Sequence, residues 1–284
     1  MRIEIWADIA NPWTHVAAER LRAALGTDGE TQRGEGTPDT RYPGSDTSAP
    51  TDVVWRPLLA DAADPDAPRD ALRLLALAEE RGGAALQNRV AEELLASHDL
   101  RDRAELAAVA ERAGFAEGGA LLRDSEAGAK ELRELLLIGK ARRIGVSPTL
   151  AVGDQHLEFA LSPATVADFL ASCAVVKPLP EEVRRLRWAE SLVGLNDPLG
   201  ALVLLEPLLA EHGDDPNIRR VAASAYFASA QLGRAEAVLE AMLAAHPDDS
   251  NARVMLGKTL KRRGRGAEAE THLRMAAAMT PEYA

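Results

Sequence analysis

The spacing of apolar and polar positions changes along this chain, and each change marks an element. Ile3 to Ile9 is a short apolar run that stops at Asn11-Pro12, and Val16 to Leu25 follows with amphipathic spacing. This order predicts a strand, a sharp turn and a helix. Asn is a good N-cap, and Pro suits the first helical position, where its missing N–H would have had no partner. Such a turn is expected to aim bare backbone N–H groups and the positive end of a helix dipole at whatever lies beside Asn11, a place for a thiolate or another anion. Gly26 to Thr51 is polar, rich in Gly, Thr, Pro and Asp, and without period, so it reads as a flexible surface loop, an insertion or a mobile flap. Asp52 to Leu59 predicts a second strand. From Arg69 to Arg143 the spacing is helical almost throughout, with stripes at Leu72, Leu75 and Ala76, at Val90, Leu94 and Leu95, at Leu106, Val109 and Ala110, and at Leu132, Leu135 and Leu136. Gly82-Gly83, Gly114 and Gly118-Gly119 punctuate them. Gly153-Asp154 predicts a hairpin turn, His156 to Ala160 a last strand, and Ser162-Pro163 the start of a helix through Leu170.

From Pro180 onward the pattern repeats. Asp214-Asp215-Pro216 recurs as Asp248-Asp249-Ser250, and Pro247 recurs as Pro281, both at a spacing of 34 residues. Ala223, Tyr226 and Ala235 form a small, aromatic, small series closed by Pro247. Leu256-Gly257, Ala269, Ala276 and Pro281 form the next, and Trp188-Ala189 and Ala201 a degenerate first one with Gly213 in the closing position. Period and motif resemble the tetratricopeptide repeat, a helix–turn–helix unit whose small residues lie where paired helices approach closely. Three such repeats over 180–284, about the minimum for a continuous core, imply an all-α solenoid that offers a groove to a protein or peptide partner.

Composition narrows the classes without choosing among them. A formal net charge of −11 argues against general nucleic-acid binding. The 46% hydrophobic and 4% aromatic fractions call for a core built from Leu, Ala and Val. No stretch approaches the roughly 18 apolar residues of a membrane span, and the N-terminus shows no secretory signal pattern. The single cysteine, Cys173, excludes an internal disulfide and fits a cytoplasmic protein. Its place among Phe169, Leu170 and Val175 reads as core.

The first 176 residues resemble the DsbA family of thioredoxin-fold oxidoreductases, in particular its FrnE-like branch. The resemblance is carried by the strand–turn–helix at Asn11-Pro12-Trp13-Thr14, by Val53-Val54-Trp55-Arg56-Pro57, by the helical stretch with Asp102-Arg103-Ala104-Glu105-Leu106 leading to Ala113-Gly114-Phe115, and by Gly145-Val146-Ser147-Pro148-Thr149. It implies an α/β thioredoxin-like fold with a helical insertion over 69–143, followed by the tetratricopeptide array. It also implies that Pro148 is cis and that Pro12, Trp13, Ser147, Pro148 and Thr149 form a binding surface around the turn. The family carries Cys-Pro-Trp-Cys or a similar tetrapeptide there. Asn11 and Thr14 occupy the two cysteine positions, so dithiol exchange at this site is chemically excluded.

Two functions follow from that resemblance. In the first, the protein has lost dithiol chemistry and acts in binding or scaffolding, without a cofactor. In the second it is a transferase or isomerase that holds an external low-molecular-weight thiol. Kappa-type glutathione transferases and chromene-carboxylate isomerases do this with Ser-Pro-Tyr-Ser at the same place, and Asn11 and Thr14 would donate hydrogen bonds in that manner. His15 reads as an ordinary helix residue, and no metal-ligand spacing is evident. Lys258, Lys261, Arg262, Arg263 and Arg265 form the one dense basic run, read either as a solvated helix end or as a docking patch.

Overall fold

Strand β1 (Arg2–Ala7) has apolar residues at alternate positions, and Ile3, Ile5 and Ala7 are buried on one face while Trp6 is buried on the other. A strand covered on both faces belongs in the interior of a sheet. In this computed structural model, which describes residues 1–26, 51–59, 64–158, 162–173 and 179–280, β1 lies between two neighbours. Helix α1 (Pro12–Ala24) follows the turn at Asn11, and β2 (Asp52–Pro57) pairs parallel with β1, Ile5 opposite Trp55. Strand β3 (Thr149–Val152) pairs antiparallel on the other side of β1, and β4 (Gln155–Glu158) pairs antiparallel with β3 through a turn at Gly153. The strand order is β2-β1-β3-β4. Residues 27–50, which contain nearly all of the polar passage read as a loop, and residues 159–160 of the last expected strand lie outside the described residues.

Between β2 and β3 run α2 (Arg69–Ala96), α3 (Arg103–Arg112), α4 (Gly118–Asp124) and α5 (Ala129–Ala141), and α6 (Pro163–Cys173) follows β4. The Gly82-Gly83 pair is a break within α2, where Gly83 leaves helical geometry at φ 63°. A left-handed φ there needs the missing Cβ. Leu72, Leu75, Val90, Leu94, Leu106 and Val109 join Ile3 and Ile5 in one apolar cluster. On the opposite face of β1, the backbone of α5 comes so near the Trp6 indole that a Cβ at Gly139 would lie 2.8 Å from Cζ3.

Strand β2 is an edge, and an edge leaves backbone groups unpaired. Helix α2 supplies the partners. Gln87, fully buried, accepts from the Trp55 N–H at 2.9 Å and donates to the Trp55 carbonyl at 3.0 Å, as a neighbouring strand would. Asn88 donates to the Val53 carbonyl at 2.8 Å and accepts from the Trp55 indole at 2.9 Å.

The chain divides into two compact units, 1–178 and 179–284. The second is wholly helical where described: α7 (Glu181–Gly194) and α8 (Pro198–His212), α9 (Pro216–Ala228) and α10 (Leu232–Ala245), α11 (Ser250–Arg262) and α12 (Gly266–Met279) form three helix–turn–helix pairs. Two sets of small residues recur at 34 and pack where the helices meet: Ala189, Ala223 and Gly257, and Ala201, Ala235 and Ala269, all buried. A Cβ on Gly257 would stand 2.7 Å from Leu273 Cγ. The turn inside each pair has the same period. Asn196, Ala230 and Gly264 take φ of 58°, 60° and 81°. Asp197, Asp215 and Asp249 cap α8, α9 and α11 through their side chains.

Candidate functional site

The turn at Asn11 is built as a hydrogen-bonded unit. Asn11 Oδ1 caps α1 by accepting from the Trp13 N–H at 3.0 Å, and the Thr14 N–H donates to the Asn11 carbonyl at 2.9 Å. The Asn11 N–H donates to the Asp8 carbonyl at 3.0 Å, and Pro12 has no N–H. These N–H groups were expected to be bare and available to an anion. They are instead satisfied within the turn, the Trp13 N–H by the Asn11 side chain and the other two by backbone carbonyls.

The other half of Asn11 reaches across to the loop before β3. Its Nδ2 donates to the Ser147 carbonyl at 3.1 Å, and Ser147 Oγ accepts from the Asp8 N–H at 2.8 Å. The Ser147–Pro148 bond is cis. The structure therefore brings Asn11, Pro12, Ser147 and Pro148 together. Thr14 and Thr149 belong to the interior. Thr14 is 0% exposed and donates to the Asp8 carbonyl at 2.8 Å, and Thr149, equally buried, donates to the Val146 carbonyl at 2.7 Å. A hydroxyl in that position does not reach a ligand. Trp13, 53% exposed, is the large apolar surface of the turn. His15 is exposed and lies 3.2 Å from Glu19.

A cavity of about 360 Å³ opens beside the turn, lined by Asn11, Pro12 and His15 on one side and by Leu94, His98 and Arg101 of the α2–α3 segment on the other. Cys173 lies elsewhere. It is buried, its Sγ stands 3.3 Å from Gln155 Oε1, and burial pushes the thiol pKa up, away from a reactive thiolate.

The sheet's Trp6 face carries a buried ion network that hydropathy did not reveal. Glu4 is held between Arg142 and Arg56, with Arg56 Nε at 3.4 Å, and Arg56 continues to Glu79. Arg142 also donates to the Gly153 carbonyl at 2.6 Å and lies over the Trp6 ring at 5.5 Å. Burial opposes the charge on Glu4, but Arg142 and Arg56 together outweigh it and hold the carboxyl below its ordinary pKa. The strand alternation places Glu4 and Trp6 on one face, and that was the only sequence signal for this cluster.

In the second unit the basic run separates into two groups. Arg263 and Arg265 both pair with Glu236 of α10, which is buried, and Arg265 also pairs with Glu268. Arg262 donates to the Phe227 carbonyl at 2.8 Å with its guanidinium 4.6 Å above the Phe227 ring. Lys258 and Lys261 are exposed. Three arginines of the run thus join α11 and its following turn to the preceding pair of helices.

Residues 192–253 and 228–284 match the family described as tetratricopeptide repeat. No curated protein and no solved structure matches the chain. Residues 192–284 therefore carry tetratricopeptide repeats, a class of helical repeat that generally mediates protein–protein interaction. Among the described residues, no helix is long and apolar enough to cross a membrane, and no group of three or more His, Cys, Asp or Glu is arranged to hold a metal ion.

Proposed function

We propose that this chain is a DsbA/FrnE-like thioredoxin-fold protein that has given up dithiol exchange and serves as a cytoplasmic binding or scaffolding module, with a protein or peptide partner engaged by its repeats. The observation that carries the reading is the state of the two positions matching the family dithiol. Asn11 is tied to Trp13 and Ser147, and Thr14 is buried against Asp8, so both side chains stabilise the frame and neither is free for chemistry. The order β2-β1-β3-β4 with helices between β2 and β3, and the cis Ser147–Pro148 bond, support the family resemblance. The repeats over 192–284 support the binding role.

The test has two arms. In an insulin-reduction assay the wild-type chain is expected to show background turnover only; acceleration above background overturns the loss of dithiol chemistry. Affinity capture with the full chain is then compared with capture by a Gly257→Val variant, whose added side chain disrupts α11 against α12. Partners retained by the wild type and lost by the variant support the binding role, and identical recovery rejects it.

The cavity beside Asn11 favours a second reading, a transferase or isomerase that holds a low-molecular-weight thiol there. Saturable binding of glutathione that disappears in Asn11→Ala would support it. Equal binding by both forms would reject it.

A further inference from the structure

We infer that the seam between the first and second helix pairs of the repeats holds a binding site for a small apolar monocarboxylate. The two seams of the array stand 34 residues apart in sequence and are built differently. At the second seam the turn after α11 sends Arg263 and Arg265 across to the buried Glu236 of α10, and Glu268 also holds Arg265. Arg263 passes close to Gly233, where an added Cβ would stand 3.8 Å from its Nη1. One repeat earlier every member of that cluster is different. Ser229 and Gln231 stand for the two arginines, Leu202 for Glu236, Leu199 for Gly233 and Arg234 for Glu268. The short polar pair turns back on its own helices: Gln231 Nε2 donates to Ser229 Oγ at 3.0 Å, and Ser229 Oγ donates to the Ala225 carbonyl at 2.8 Å. Among the described residues neither side chain bonds across the seam. The place filled by ions at the second seam is open at the first, a cavity of about 330 Å³ walled by Leu199, Leu202, Val203 and Leu209 of α8 and by Tyr226 of α9.

The walls call for an apolar body, and the volume lies at the small end of ligand cavities, which run from about 300 to 1,000 Å³. Leu199 is 58% exposed at the mouth, so a ligand that covers it removes apolar surface from water. Arg234 supplies the polar anchor. Its guanidinium lies 5.8 Å from the Tyr226 ring and donates from Nη1 to Gln231 Oε1 at 2.9 Å, and it pairs with no carboxylate among the described residues. A planar guanidinium held on an aromatic face takes a carboxylate through two parallel N–H···O bonds. The ligand thus brings the acid that Glu268 provides one repeat later. Glu206 also lines the cavity, seven residues along α8 from Leu199, or about 10 Å at a rise of about 1.5 Å per residue. It repels a second anionic group, which limits the ligand to one carboxylate. A molecule seated here touches α8, α9 and α10 together, so the strength of this seam depends on a ligand where that of the next depends on its own arginines.

Isothermal titration calorimetry on the full chain tests this with two monocarboxylates, 3-phenylpropionate and octanoate, and with 3-phenylpropanamide and phenylsuccinate as the uncharged and dicarboxylate counterparts. Saturable binding of a monocarboxylate is expected, with the amide and the dicarboxylate each about tenfold weaker. Arg234→Gln is expected to weaken binding about tenfold, because the charged partner is gone. Leu202→Glu/Ser229→Arg/Gln231→Arg carries the second seam's cluster into the first and is expected to fill the cavity and abolish binding. Circular dichroism on heating checks that both variants keep the wild-type helix content, and the ligand is expected to raise the melting temperature of the wild type alone. No saturable binding of either monocarboxylate overturns the proposal, and so does wild-type affinity in Arg234→Gln. Equal binding of the amide or the dicarboxylate rejects the monocarboxylate specificity. Undiminished binding by a folded triple variant places the ligand elsewhere and overturns the assignment to this cavity. Arg234→Gln, an exposed substitution, decides alone should the triple variant fail to fold.

Discussion

The side-chain amide of Asn11 donates to the carbonyl oxygen of Ser147 at 3.1 Å, joining two segments separated by 136 residues. The same side chain caps α1, so its two roles separate by substitution. Asn11→Asp keeps the capping oxygen, loses the donor and sets a carboxylate against a carbonyl, while Asn11→Ala loses both functions. Chemical denaturation is expected to show a loss of about 1–2 kcal/mol for Asn11→Asp and about 2–3 kcal/mol for Asn11→Ala. Equal stability of wild type and Asn11→Asp would show that the bridge contributes nothing.

Gln87 takes the place of a neighbouring strand for Trp55, and its loss leaves a buried N–H without a partner and the carbonyl with only the longer bond from Arg56 Nη1, at 3.3 Å. Gln87→Leu keeps the volume and removes both bonds. A loss of about 2–4 kcal/mol in denaturant unfolding is expected, together with concentration-dependent association, since an uncovered strand edge recruits another chain. A soluble variant of wild-type stability would contradict the assigned role.

Glu4 gives the first unit an acid limb. Its pKa is lowered in the folded state from a usual 4.5, so its contribution is fully present above that value and is lost as pH falls through the lower folded one. Glu4→Gln is expected to cost about 3 kcal/mol at neutral pH, because a buried ion partner is removed. The gap between variant and wild type should narrow in acid. Thermal unfolding across the pH range checks this, and a constant gap would mean that the charge on Glu4 is not the cause.

Ala230 holds φ 60°, a region that costs an L side chain about 1 kcal/mol or more. Its counterparts one repeat away in each direction are Asn196 and Gly264. Ala230→Gly is expected to raise stability by about 0.5–1 kcal/mol, the relief of strain being reduced by the greater entropy of Gly in the unfolded chain. A lower melting temperature for the variant would refute it.

Gly257 has the opposite requirement. Ala occupies the equivalent positions 189 and 223, but here Leu273 and the Ala269 carbonyl close over the backbone, the latter at 3.2 Å from where a Cβ would stand. Gly257→Val is expected to cost about 1–3 kcal/mol of helical stability in the second unit, read by circular dichroism on heating.

What the sequence reveals and what it conceals divide along physical lines. The 34-residue period was legible because helix crossings admit only small residues, and Ala and Gly recur there. The period in backbone conformation was hidden, since Asn196 and Gly264 tolerate positive φ openly while Ala230 gives no sign of it. At the turn, Asn11-Pro12 announced a cap. That the cap would satisfy its own N–H groups and clasp Ser147 depended on a contact across the fold. Thr14 looked like an available hydroxyl because sequence carries no measure of depth. The basic run showed its charge density plainly, but the carboxylate that takes up two of its members, Glu236, lies on another helix.

Glu236 receives Arg263 and Arg265 from the following pair of helices. In a linear array, cooperativity is set by the strength of each seam relative to the stability of a single repeat. A nearly dehydrated carboxylate gripping two guanidinium groups makes this seam a checkpoint for unravelling: the last hairpin cannot peel away without breaking both ion pairs. The third helix pair is thereby fastened to the second, and α11 is kept in register beside α9.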